Sequence, residues 1–302
     1  MSLLLVFGRD DPARVRFAES PIWETMSALR VLLEPHRRRY HLPWLDSVRP
    51  ELDRLDLWPL LALSPRNGWT PDFLSPAPAG PATDIADQLA QVRATAPEQV
   101  AQEVRRSLTE RSGAPVPEAA WRLLDDPVAT RAVLADLLEQ CWRLLIAPHW
   151  PRLRDLLQAD VRYRTQVLGD YGLEPVLADL HPRARWTGRA IVVDQAGAER
   201  HRLAGAGLLL MPSVFVWPSL VAVVDPPARG VLVPAAVPSS RKAAASSARP
   251  APCCAPRCST RAPGGAPPDC PGLEVARSRP AIVGVEGRGR LRELRAAGGP
   301  GN

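Results

Sequence analysis

The sequence predicts an α+β fold: a mostly helical N-terminal domain with a small antiparallel sheet. Three observations carry this. Residues 3–7 form an isolated apolar run bounded by turn residues. From Pro21 to Leu168 apolar residues recur at spacings of three and four, the helical period. After Pro182 the pattern alternates or runs apolar in short stretches, as strands do. The chain has 302 residues, 46% hydrophobic and 23% charged, which is globular rather than disordered composition and leaves room for one large domain or two.

The elements follow in order. Residues 3–8 are a strand, closed by Gly8, Asp10, Asp11 and Pro12. Ser20-Pro21 opens a helix, with Ser20 as N-cap, Pro21 in the first position and Glu24 near the first turn. Ile22, Met26, Leu29 and Leu33 share one face, and Pro35 ends the helix. The cluster His36-Arg37-Arg38-Arg39 reads as a solvated helix end, with a phosphate contact as the alternative. Residues 44–63, rich in Trp and Leu and punctuated by Pro50 and Pro59, give one or two short helices. Pro71, Pro76, Pro78 and Pro81 hold 66–81 as an extended loop. A helix capped by Thr83 runs to Ala94, and Pro97 starts another to about Arg111, with Val100, Val104 and Leu108 as its stripe. After a linker at 112–117, helices are expected over 118–124, 129–147 and 152–168. In the second, Val133, Leu137, Cys141 and Leu144 share a face. Residues 185–194, 206–217 and 220–225 complete the sheet as antiparallel strands, with turns at Gly197 and Pro218.

The last quarter differs. Residues 1–227 carry 26 basic and 28 acidic side chains, a net of −2, whereas 228–302 carry 12 and 4, a net of +8. All 16 aromatic residues lie at or before Trp217, and Gly, Ala, Pro, Arg and Ser supply 53 of the last 75 residues. Such a segment buries little apolar surface on its own. The boundaries that follow are a regulatory or dimerisation domain over 1–227, a Pro/Ala/Ser-rich linker over 228–260, and a poorly ordered segment over 261–302. Either the tail is a basic extension that meets an acidic partner, or it is read partly out of frame, since shifted frames of GC-rich DNA yield these residue types. Arginine dominance, with Lys242 the one lysine, fits a GC-rich gene.

Familiar catalytic patterns are missing. His36, His41, His149, His181 and His201 form no His-Glu-x-x-His or comparable metal pair. The sequence carries no glycine-rich phosphate loop and no Gly-x-Ser-x-Gly elbow. Asp125-Asp126 before Pro127 fits a helix end or the cap of the next helix better than a catalytic dyad. Cys253, Cys254, Cys258 and Cys270 suggest zinc by residue type, but the spacing lacks two Cys-x2-Cys knuckles and the neighbours are Pro and Ala. Cys141 fits an apolar helix face. The expectation is therefore a non-enzymatic protein without cofactor or metal. The longest apolar runs, 207–211 and 214–217, fall far short of the roughly 20 residues of a membrane span, so a soluble cytoplasmic protein is expected.

Several stretches together resemble a known family: Arg16-Phe17-Ala18-x-Ser20-Pro21-x-Trp23-Glu24-Thr25, His41-Leu42-Pro43-Trp44-Leu45, Thr70-Pro71-Asp72-Phe73-Leu74, Pro148-His149-Trp150, Leu180-His181-Pro182-Arg183, and Leu209-Leu210-Met211-Pro212-Ser213-Val214-Phe215-Val216-Trp217-Pro218. The likeness covers nearly all of 1–227. It is to the N-terminal domain of unknown function in bacterial transcription regulators of the ArsR-type winged-helix class. The resemblance implies a winged helix-turn-helix after the sheet, operator DNA as partner, and a homodimer, with any effector ligand unidentified. Residues 290–298 are similar to the end of a recognition helix, which makes Arg290, Arg292 and Arg295 the candidate DNA contacts. Pro280, Gly284, Gly287 and Gly289 interrupt the helix that major-groove entry needs, so this winged-helix part is a degenerate remnant and DNA reading is expected to be impaired. The rival expectation is a ligand-sensing or dimerisation module without DNA binding.

Overall fold

The computed structural model describes residues 2–33, 39–65, 68–111, 115–194, 199–225, 229–234 and 236. Among the described residues, strand β1 (Ser2–Val6) leads into β2 (Val15–Phe17) and then nine helices: α1 (Pro21–Leu33), α2 (Leu42–Leu52), α3 (Trp58–Ala62), α4 (Ile85–Ala94), α5 (Pro97–Thr109), α6 (Glu118–Trp121), α7 (Pro127–Cys141), α8 (Trp150–Tyr171) and α9 (Leu173–Ala178). Six strands follow: β3 (Ala184–Trp186), β4 (Ala190–Asp194), β5 (Glu199–Arg202), β6 (Leu208–Leu210), β7 (Leu220–Asp225) and β8 (Arg229–Pro234). The fold is α+β, as the periods of the sequence require. The chain divides after Pro250, and every described residue lies in the first unit. Among them no helix is long and apolar enough to cross a membrane.

The strands form two mixed sheets rather than one antiparallel sheet. Sheet A has the order β3-β4-β1-β5, and sheet B the order β2-β6-β8-β7. β1 runs antiparallel to β4 but parallel to β5, and β6 runs parallel to both β2 and β8. The expected β6–β7 neighbours are separated because the nine residues 211–219 between them make no tight hairpin. β7 pairs antiparallel with β8 instead, and β8 occupies the gap between β6 and β7. β8 starts beyond Pro227, so the boundary expected there falls one strand short. Of the segments expected at 228–260 and 261–302, only residues 229–234 and 236 are described, and the winged-helix remnant lies outside the described residues.

Sheet B is buried on both faces, which explains why β6 and β8 read as unbroken apolar runs. Leu208, Leu210 and Leu232 join Leu3, Leu5, Ile191 and Val193 of sheet A in one core. The intervening Leu209, Val231 and Val233 form a second core with Ala18, Met211 and Val216, against which Trp23 of α1 packs. The helices close a third core around Ile22, Leu29, Leu60, Leu74, Val104, Leu134 and Leu138. A Cβ on Gly230 would come within 2.9 Å of the Leu203 side chain and 3.3 Å of Leu5. Glycine there lets the sheets approach.

Local signals account for most helix ends. Ser20 Oγ accepts from Trp23 N–H at 3.3 Å, as a cap should. Asp84, not Thr83, caps α4, accepting from Ala86 N–H at 3.2 Å. Asp126 caps α7 through the N–H groups of Val128 and Ala129, both at 3.0 Å, which gives the acidic pair its structural role. Of the expected apolar face, Leu137 and Cys141 are buried and Leu144 packs against the core, but Val133 is 49% exposed, and Thr130, Leu134 and Leu138 turn inward in its place. Val133 and Leu134 both have a leucine four residues on, so spacing alone did not choose between them. After Cys141 the chain makes a π turn over Trp142–Ile146, where Leu145 C=O accepts from Trp44 Nε1 at 3.2 Å. α8 spans two cores, with Leu153 in the helical one and Val167 and Leu168 against the sheets. Between them lies a buried ion pair, Arg164 Nε to Asp160 Oδ2 at 2.6 Å.

Asp11 ties the sheets together. It is fully buried, and its carboxylate accepts from Gly8 N–H at 2.6 Å and Gly207 N–H at 2.9 Å, joining the end of β1 to the start of β6. Gly207 has φ 79° and lies so close to the Arg14 backbone that a Cβ would collide with it. Asp11→Ala would leave both N–H groups without their acceptor, at a cost of about 2–4 kcal/mol. A clear fall in the urea midpoint at unchanged slope is the expected result. A chain cut after Pro227 loses β8, the inner strand carrying buried Val231, Leu232 and Val233. It should lose its cooperative thermal transition, whereas a chain cut after Pro250 should keep it.

Candidate functional site

Two features stand out, a buried polar hub around the turn at 213–218 and a basic pocket at the edge of sheet B. The hub begins with Glu24. α1 carries only one acidic and one basic side chain in 13 residues, so it is buried nearly all round and takes Glu24 inside with it. Glu24 is 1% exposed, and its Oε1 accepts from Val214 N–H at 3.0 Å. Its Oε2 is buried without a hydrogen-bond partner. Burial pushes its pKa up to about 7, against the smaller opposing pull of the Ser213 hydroxyl and the Val214 and Phe215 amides.

Two histidines hold the same turn from other elements. His41 Nε2 lies 3.3 Å from Trp217 C=O, and its ring packs 5.3 Å from Phe215. Trp44 meets Phe215 edge-on at 4.6 Å. His181 Nδ1 accepts from Arg183 N–H at 3.0 Å, which places its proton on Nε2, 3.0 Å from Pro218 C=O. The Trp217–Pro218 peptide bond is cis. Ser213 reaches the end of the described chain: its N–H donates to Pro234 C=O at 3.0 Å, and its C=O accepts from Ala236 N–H at 2.8 Å. Four of the stretches that carried the family resemblance meet here, those containing Glu24, His41 and Trp44, His181, and the turn itself.

Gln88 on α4 links the hub's helix to the pocket. It is fully buried, and its Oε1 accepts from Ile22 N–H at 3.1 Å. Its Nε2 donates to Ser20 Oγ at 2.8 Å and to Pro76 C=O at 3.3 Å. The amide thereby completes the α1 cap and anchors the loop that continues as Pro78-Ala79-Gly80-Pro81. That loop is one wall of a pocket of about 240 Å³, whose other lining residues are Arg14, Arg16, Phe17, Ala18, Ala206, Leu208 and Leu209. No acidic residue lines it. Arg14 and Arg16 are exposed, and Arg14 Nη1 donates to Gly205 C=O at 2.6 Å. The Arg16 side chain makes no hydrogen bond or ion pair among the described residues.

The residues expected to contact DNA, Arg290, Arg292 and Arg295, lie outside the described residues, as do Cys253, Cys254, Cys258 and Cys270 and most of the 36–39 basic cluster. Among the described residues no group of three or more His, Cys, Asp or Glu could hold a metal ion. Cys141 is buried, and burial pushes its thiol up to about 12, which leaves it protonated and unreactive. Glu24, expected from the sequence as an acidic residue near the first helical turn, is interior, and no expectation attached to Gln88. The near absence of charge in α1 was the signal that Glu24 is interior. Nothing local marks Gln88, whose partners lie 66 and 68 residues away.

A model of a family of unknown function, DUF5937, matches residues 82–237. No curated protein and no solved structure matches the chain. The match runs from just past the pocket wall to just past β8.

Glu24 makes stability depend on pH. Its folded pKa of about 7 lies above the ordinary 4.5 of a glutamate side chain, so the folded state prefers the protonated acid. That preference is fully present below pH 4.5 and is lost as pH rises through 7, at about 3 kcal/mol in total. Unfolding free energy should therefore fall between pH 5 and pH 8. Glu24→Gln, which keeps an acceptor for Val214 and cannot ionise, should flatten that slope and be the more stable chain at pH 8.

Proposed function

We propose, from the premise that the chain belongs to the DUF5937 family, that it is a DNA-binding transcription regulator of the ArsR type. Residues up to 236 form its sensing and dimerisation body, and the basic residues beyond them meet double-stranded operator DNA. The observation that carries this reading is the charge asymmetry, a net of −2 over 1–227 against +8 over 228–302. Concentrated positive charge next to a folded acidic body suits phosphate binding by counterion release. Arg290, Arg292 and Arg295 are the contacts assigned to DNA. A homodimer fits, because helix-turn-helix regulators read paired half-sites with paired subunits. The cytoplasm is the compartment this partner requires, and the reading involves no catalytic step and no cofactor.

The hub supplies a route from body to tail. Glu24 and the two histidines hold the 213–218 turn, and Ser213 of that turn holds Ala236, after which the basic segment begins. A change in α1 or its loop is thereby felt where the tail leaves. Pro280, Gly284, Gly287 and Gly289 favour a second reading, in which the body senses a ligand or dimerises while DNA reading is lost.

Fluorescence anisotropy of the full chain on a duplex from its own upstream region, against random duplex, decides between them. Under the first reading the chain binds duplex at 50 mM salt and weakens steeply by 200 mM. Replacing Arg290, Arg292 and Arg295 together by Ala should lower the log–log salt slope by about 3. No binding at 50 mM salt would leave the second reading. A salt-resistant complex that prefers the upstream duplex would show that the reader is intact.

A further inference from the structure

We propose that the pocket between β2, β6 and the 78–81 loop binds a small apolar organic acid, a monocarboxylate whose carboxylate meets Arg16 and whose body lies on Ala18 and Leu209. This deepens the sensing half of the reading above, but the binding claim stands on the pocket alone.

The strand geometry sets the chemistry. Ala18 N–H donates to Leu210 C=O at 3.1 Å, and Glu19 N–H donates to Pro81 C=O at 3.0 Å. Successive residues therefore turn their backbone groups to opposite edges. Phe17 directs its N–H and C=O to the same edge as Glu19, towards the 78–81 loop. That loop is bonded to the residues just past β2 at the Glu19–Ala82 bridge, and beside β2 itself a cavity of about 240 Å³ lies between loop and strand. Side chains alternate as well. Arg16 lies on the same face as Ala18 and Leu209, opposite Phe17 and Leu208. The pocket thus offers a guanidinium with no partner among the described residues, a backbone N–H, and an apolar floor in one place.

Charge decides the sign of the ligand. Two arginines line the cavity and no carboxylate does. Arg14 is held by Gly205 C=O, while Arg16 is free to make the two parallel hydrogen bonds that a carboxylate accepts from a planar guanidinium. Pro78, Pro81, Ala18, Leu208 and Leu209 offer nothing polar from their side chains to a second charged group. The remainder of the ligand is therefore apolar and small. Gln88 holds Pro76 next to this wall and also caps α1, so filling the pocket acts on the helix that carries Glu24.

The test uses the full chain without DNA, by isothermal calorimetry and by amide chemical shifts, with benzoate and hexanoate as probes. Benzamide serves as the uncharged match to benzoate and sulfate as a bare anion. At least one of the two carboxylates is expected to bind saturably, with benzamide at least tenfold weaker than benzoate if benzoate is the one. Arg16→Gln is expected to weaken binding at least tenfold while leaving the melting temperature within a degree or two, because Arg16 is exposed and unbonded. Arg9→Gln, at an exposed arginine outside the pocket, should change nothing. Failure of both carboxylates to bind, equal binding of benzamide and benzoate, sulfate matching the carboxylates, or an unaltered affinity in Arg16→Gln would each overturn the proposal. Because no DNA is present, failure of the regulatory reading leaves this result standing, and the reverse also holds.

Discussion

Burial of sheet B on both faces is the constraint from which the rest of the structure follows. A strand covered on one side alternates apolar and polar residues, but a strand covered on both must be apolar throughout. β6 and β8 meet that demand, with Leu208, Leu210 and Leu232 towards sheet A and Leu209, Val231 and Val233 towards α1. Three layers are then unavoidable: a sheet, a second sheet, and a cover of helices. Gly230 is required because the sheets come together there. α1 must be nearly free of charge because it is sandwiched between the sheet and the remaining helices, and its one carboxylate becomes a buried acid.

The pocket forms where that double burial ends. β2 is one of the two outer strands of sheet B, and beyond it the described residues hold no further strand but the proline-rich loop, bridged to Glu19 just past the strand's end. Prolines donate no backbone hydrogen bond, so Pro78 and Pro81 cannot extend the ladder along β2. A gap at the edge is the physical consequence. Arginine at 16, in the middle of an otherwise apolar strand, is tolerated because its side chain reaches solvent through that gap.

The hub and the pocket are coupled through a short chain of buried polar contacts. Pro76 is bonded to Gln88, Gln88 to Ser20 and Ile22 at the start of α1, and Glu24 one turn later to Val214. Every link is a hydrogen bond to a backbone group or a short side chain, which leaves little slack. These contacts make a contiguous hydrogen-bonded connection between the pocket wall and the 213–218 turn.

From the amino-acid order alone follow the class of fold, the helix start at Ser20-Pro21, the buried stripe of α5, and the interior place of Cys141. These are local properties, written in spacing and cap chemistry within a few residues. It also set the charge division between body and tail, on which the DNA reading rests. Only the tertiary structure decided which strands pair. β8 inserts between β6 and β7, and β5 pairs with β1 across nearly 200 residues, choices made by the covering of both faces rather than by any local preference. The site was legible only in part. Glu24, His41, His181 and Arg16 all stood in the stretches that suggested a family, yet nothing in their neighbours showed that three of them close on one turn while the fourth faces a cavity. Those arrangements depend on partners far apart in the chain, and a spacing rule that spans one or two helical turns carries no information about them.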